Sequence, residues 1–128
     1  MTVTYTTAVK NARMTAVRDQ IDSGGAAGRL EILTAGSVVL ATVPLGYSGV
    51  STGTIAAAAL TLAGFPRSDA AADSGGTAAL ARIRTSAGTD VITGLTVGIG
   101  TGDVQLDTLT IAINQVVTIN SAVITHAA

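Results

Sequence analysis

Residue types able to do chemistry are few in this chain, and they are scattered. His126 is the only histidine and there is no cysteine, so thiolate metal sites, disulfides and a Cys–His pair are all excluded. Nothing nucleophilic can be placed beside His126, two residues from the C-terminus. Asp103 and Asp107 are the closest late pair of carboxylates. Their strand–turn context suits flanking a turn better than holding a metal, and calcium-loop spacing is missing. Residues 94–103, GLTVGIGTGD, carry glycines at 94, 98, 100 and 102. A phosphate loop would need a following helix and, for nucleoside triphosphates, a Gly-Lys-Ser/Thr ending. VQLDTLTI continues as sheet instead, so these read as turn glycines. Arg82 and Arg84 fall on the same side of a strand, where they either hold an acidic partner or form a solvated face. An active site concentrates titratable groups in one place. With 12% charged residues there is little to concentrate, and we expect no enzyme, no metal site and no cofactor.

The totals agree with a binding or structural role. At 128 residues the chain is one domain, with an N-terminal arm and helix over 1–25 and a β body over 26–128. Apolar residues make up 48%, enough for a core, but alanine supplies much of that and only Tyr5, Tyr47 and Phe65 are aromatic. The core should therefore be thin and aliphatic, and a partner surface or self-association into a homo-oligomer would help it. A net charge of −1 argues against a nucleic-acid partner, which calls for a basic face. The first residues lack the basic-then-apolar order of a secretory leader. The most apolar window, residues 55–63, falls far short of the ~20 residues that a membrane span needs, so no membrane partner is expected.

The elements that must position these side chains begin with a helix over 7–22, capped by Thr6 or Thr7 and stopped by the glycines after Ser23. Val9, Ala12, Ala16, Val17 and Ile21 share one face and predict the buried stripe, with Met14 at its border. Beyond it the hydrophobic period falls to two. Strands are expected at 29–34, 37–45, 53–62, 77–85, 90–97, 104–107, 109–113 and 115–125, with 64–76 a polar surface loop. Seven or eight short strands with glycine-rich turns, and no second helix to cross over between parallel strands, predict an antiparallel sandwich or barrel. One internal echo stands out: residues 22–40 and 73–92 both run DSGG, strand, turn, strand. Either a duplicated hairpin underlies it, or Asp, Ser and Gly are simply what turns require.

The segment TTAVKNARMTAVRDQIDSGG, followed by RLEIL and ending in QVVTINSAVITH, resembles a family of small tailed-bacteriophage virion proteins. Members begin with a T-x-(L/V)-K-N-x-R-(M/L)-x-A-(V/I)-x-(D/N)-x-I-D helix and end in a Thr-rich strand. The likeness covers the first 35 residues well and the last 25 loosely; the middle is similar in composition and turn placement. Here the Ala-rich 54–63 stretch departs from the more aromatic middle usual in such proteins. The resemblance implies a capsid decoration or cement protein with a jelly-roll-like or other β-sandwich fold. It would be made in the host cytoplasm and bind the major capsid protein lattice on the capsid exterior, with no catalysis.

Lys10, Arg13 and Arg18 place three of the seven basic residues within nine positions of the helix. One expectation is that the helix packs its apolar stripe on the body while this basic side meets the capsid or a neighbouring copy. The other is a plain capping helix with a wet outer face. Two further functions stand as alternatives: a tail or head–tail connector structural protein, and a carbohydrate-binding β-sandwich module. The scarcity of aromatic platforms weighs against the last.

Overall fold

The computed structural model describes residues 4–22, 28–45, 53–62 and 65–125. Helix α1 (Thr7–Ile21) begins where the capping chemistry places it: Thr6 is extended, and its hydroxyl accepts the Val9 N–H at 3.3 Å. At the other end the Asp22 N–H donates to the Arg18 carbonyl at 3.3 Å. The glycines expected to stop the helix, Tyr47 and His126 lie outside the described residues.

The rest is strand: β1 (Arg29–Leu33), β2 (Val39–Pro44), β3 (Gly53–Ala56), β4 (Ala59–Leu62), β5 (Arg67–Asp69), β6 (Gly76–Thr77), β7 (Leu80–Arg84), β8 (Asp90–Gly98), β9 (Val104–Leu106), β10 (Thr110–Ile111) and β11 (Val117–Thr125). Nine of them form one sheet in the order β2-β1-β7-β8-β9-β11-β4-β3, with β5 also on β11; β6 and β10 pair separately. The protein is thus mainly β with one helix near its N-terminus, as its sequence implies. The sheet is mixed rather than wholly antiparallel, and it is not closed. Between β2 and β5 the link is a Thr42 N–H bond to the Asp69 carboxylate at 2.9 Å, with no ladder. Fully buried aliphatics, among them Leu30, Ile32, Val43, Leu60, Ile83 and Ile119, belong to a single cluster drawn from both ends of the sheet.

The described residues form eleven strands rather than seven or eight, partly because the strand expected at 77–85 is split between β6, which pairs with β10, and β7 in the main sheet. Three further elements differ from expectation, each for a local reason. The stretch read as one strand at 53–62 is a hairpin, because the chain reverses at Ala57 and Ala58, which adopt φ of +50° and +63°. Alanine gives no turn signal, and such angles in a two-residue loop normally call for Asn-Gly. Within the expected loop at 64–76, β5 pairs with β11 through Ser68↔Thr118 and its neighbours. The third is the parallel pair, Val97↔Val104 and Gly98↔Gln105, which has no helical crossover. Residues 99–103 loop back instead, and the Asp103 carboxylate locks them by accepting the Thr96 N–H at 3.1 Å and the Thr96 hydroxyl at 3.0 Å. The Asp103 N–H returns a bond to that hydroxyl at 2.9 Å. A Cβ on Gly98 would lie 2.5 Å from the Thr101 hydroxyl, so the loop closes only over glycine.

The helix sits on the sheet by the Val17–Ile21 side of its expected apolar stripe, turned so that Met14 at the stripe's border, rather than Val9, Ala12 and Ala16, faces inward. Met14 and Ile21 are buried and Val17 half-buried, whereas Val9, Ala12 and Ala16 are exposed. Two polar contacts accompany this face. The Asn11 side-chain oxygen accepts the Ala58 N–H at 2.8 Å, and Arg18 Nη1 donates to the Gly53 carbonyl at 3.3 Å. Met14 buries a large flexible side chain, where the Ala12–Ala16 stripe would bury almost nothing. Area and hydrogen bonds together outweigh the neater stripe.

The strand–turn–strand part of the internal echo is a structural repeat; most of its first DSGG lies outside the described residues. β1–β2 and β7–β8 are both antiparallel hairpins with matched turns. In the first, Thr34 N–H bonds Val38 O, Ser37 N–H bonds Thr34 O, and Val38 N–H bonds the Thr34 hydroxyl. In the second, Thr85, Gly88 and Thr89 make the same three bonds, and Ser37 and Gly88 share a positive φ of 66° and 88°. Because β1 pairs with β7 antiparallel, equivalent residues face each other at the centre: Glu31↔Arg82, flanked by Arg29↔Arg84 and Leu33↔Leu80. A local pseudo-twofold axis runs beside the Glu31–Arg82 pair.

Candidate functional site

Alternation along β1 and β7 sends Leu30, Ile32, Ala81 and Ile83 into the core, all fully buried, and leaves Arg29, Glu31, Arg82 and Arg84 on the other face. In register this face reads Pro44–Arg29–Arg84–Asp90 in one row and Thr42–Glu31–Arg82 in the next. The Glu31 carboxylate accepts Arg82 Nε at 2.6 Å, with Arg84 Nη1 at 3.9 Å. Arg84 turns its Nε to Asp90 at 2.6 Å. Glu31 is 6% exposed; as a carboxylate under two guanidiniums it is compensated, and the charge-assisted bonds fix its position. Arg29 stands directly opposite Arg84 and beside none of these acceptors.

The structure therefore brings together Arg82 and Arg84, both singled out in the sequence, and commits each to a carboxylate of its own chain. It does not gather the helix cations into one basic side. Arg13 lies over the Tyr5 ring with its guanidinium carbon 4.7 Å from the centroid, a cation–π contact. Arg18 turns inward to Gly53, and Lys10 is half-buried. The residues that sequence reasoning missed are Glu31 and Arg29. A signal was present, because the echo aligns Glu31 with Arg82, and equivalent positions of two antiparallel neighbours meet across a dyad.

No family model, no curated protein and no solved structure matches the chain.

Elsewhere the surface carries scattered single carboxylates, among them Asp19, Asp73 and Asp107, and a few exposed hydrophobics. Besides Val9 on the helix, Ile99 on the 99–103 loop and Ile113 and Val116 before β11 are large hydrophobics more than half exposed for the last three. Among the described residues no three His, Asp or Glu side chains come together in a way that could hold a metal ion. No helix there is long and apolar enough to cross a membrane. Asp103, weighed in the sequence against metal binding, accepts both Thr96 bonds through its Oδ2. The arrangement offers two surfaces for binding: a charged face on β1 and β7, and small apolar surface on the helix.

Proposed function

We propose that the protein is a non-enzymatic structural component of a tailed-bacteriophage virion that binds the major capsid protein lattice on the capsid exterior as a decoration or cement protein. The observation that carries this reading is the outward part of the helix's apolar stripe. The segment with the phage-like pattern directs Val9, Ala12 and Ala16 outward, a small-residue apolar face suited to close approach by another protein. In this reading the two ends of the sheet pack across their common core as a β-sandwich, and neighbouring copies associate with one another on the shell. Affinity arises from many weak contacts repeated by symmetry, and a low net charge limits repulsion between crowded copies.

Quantitative mass spectrometry of purified particles tests the proposal. Copies in the range of the major capsid protein are the expected result. A dozen or fewer would place the protein at the connector or tail, and absence from the particle would refute a virion role. Glu at Ala12 and Ala16 should leave the fold intact and strip the protein from particles; full retention of that double variant would remove the helix face from the contact.

A further inference from the structure

Arg29 is out of balance with its surroundings. All eight Asp and Glu residues of the chain lie within the described segments, and none falls in 1–3, 23–27, 46–52, 63–64 or 126–128. Glu31 serves Arg82 and Arg84, and Asp90 serves Arg84. No described carboxylate is within ion-pair distance of Arg29, and its Nε is buried without a hydrogen-bond partner. Such a donor costs stability, and Arg29 also faces the like-charged Arg84 across the ladder. Pro44, its partner on the other side, has no side-chain acceptor. One guanidinium nitrogen, Nη2, lies 3.5 Å from where a Cβ on Gly88 would be, so the group extends over the 85–89 turn. The position does not require arginine for the fold, since its equivalent in the second hairpin is Leu80.

We propose that Arg29 is the docking point for a carboxylate side chain of an acidic protein partner. With Glu31 and Asp90 already on this face, the partner's one carboxylate would make three against three arginines. Because Nε is shielded, the carboxylate would take its two parallel N–H bonds from the Nη groups at the outer end of the planar guanidinium. A carboxylate is favoured over phosphate because Glu31 and Asp90 stand nearby and would repel a dianion. Identifying the partner as the capsid lattice rests on the function proposed above; the carboxylate site does not.

The test uses the full chain labelled with 15N, with the Arg29 Nε–H signal assigned by its loss in Arg29→Lys. Acetate exchanged for chloride at constant ionic strength should shift this signal saturably while those of Arg82 and Arg84 stay in place. No shift, an equal shift at all three arginines, or a larger response to inorganic phosphate would overturn the site. On particles, Arg29→Gln should bind about tenfold or more weakly than the parent, with an unchanged or higher Tm showing that it folds. Undiminished binding of that variant would mean that only a small carboxylic acid uses the site, and the acidic protein partner would be wrong. If the parent itself fails to bind particles, the virion reading fails, and the acetate titration still decides the site.

Discussion

Replacing Glu31 with Gln tests how the charged face is held together. The substitution keeps shape and volume and removes one negative charge from beneath Arg82 and Arg84, leaving Asp90 as the nearest counter-charge on the face. Removing one partner of a fully buried ion pair costs about 3–5 kcal/mol. Here the arginine side chains keep 19% and 28% exposure, so water recovers part of that, and the amide oxygen can still accept from Arg82. About 2–3 kcal/mol is the reasonable expectation. With an unfolding entropy of roughly 2.1 cal/mol/K per residue, that lowers Tm by about 10 °C. Urea unfolding followed by circular dichroism should show the same loss as a shifted midpoint at constant slope.

The companion variants set the order. Arg82→Gln should cost less than Glu31→Gln, because Glu31 can turn to Arg84, already 3.9 Å away. Arg84→Gln should cost less than about 1 kcal/mol, since its tighter partner Asp90 is 48% exposed and such surface pairs contribute little. The double variant Glu31→Gln/Arg82→Gln should be less destabilised than the two single losses added together. If Glu31→Gln falls within about 0.5 kcal/mol of the parent, or Arg84→Gln proves the most damaging, Glu31 is not the hub of this face and the reasoning fails.

Ala58→Gly should stabilise the protein by roughly 0.5–1 kcal/mol, because it relieves a positive φ of 63° while keeping the N–H that Asn11 accepts; differential scanning calorimetry would register a higher Tm, and a lower one would contradict the strained-turn assignment. Asp103→Ala should cost about 1–2 kcal/mol and sharply accelerate amide exchange at Thr96, whose N–H it leaves without its acceptor; unchanged protection at Thr96 would mean that the 99–103 loop closes without this carboxylate.

Much of the fold was legible, and the failures have physical causes. Thr6 marks the start of the helix, and the period-two alternation of Leu30 with Ile32 and of Val117 with Ile119 marks β1 and β11. The buried face of the helix was legible at Val17 and Ile21 only, because the choice between Ala12 and Ala16 on one side and Met14 on the other depends on the hairpin beneath, whose turn is itself concealed in a run of alanines. β5 was hidden because three polar residues on a strand edge carry no hydrophobic pattern; only their pairing with β11 makes them a strand. The parallel β8–β9 pair was excluded on the expectation of a long crossover, which a glycine-bearing loop tied by Asp103 circumvents. At the candidate site, Arg82 and Arg84 were visible as an i, i+2 pair. Their acceptor was not, because one glutamate within RLEIL looks like any exposed strand residue until the strands are placed in register.

The repeat supplies the missing register and something more. Its two hairpins agree where folding demands it: Ile32 with Ile83 in the core, and Thr34 with Thr85 at the turns, where each hydroxyl accepts the N–H four residues on. They differ where the dyad brings them face to face. Glu31 meets Arg82 and satisfies it, so the central difference is itself structural. One row away the difference is lopsided: Arg29 and Arg84 occupy one end of the face, and their equivalents Leu80 and Leu33 the other. Leu33 is buried, so that end contributes to packing. At the Arg29 end Asp90 pairs with Arg84, and no described carboxylate pairs with Arg29. A symmetric pair of hairpins would have been easier to stabilise with leucine at both ends. The unpaired charge at one end, which the isolated fold gains nothing from, is the feature that the proposed carboxylate partner would complete.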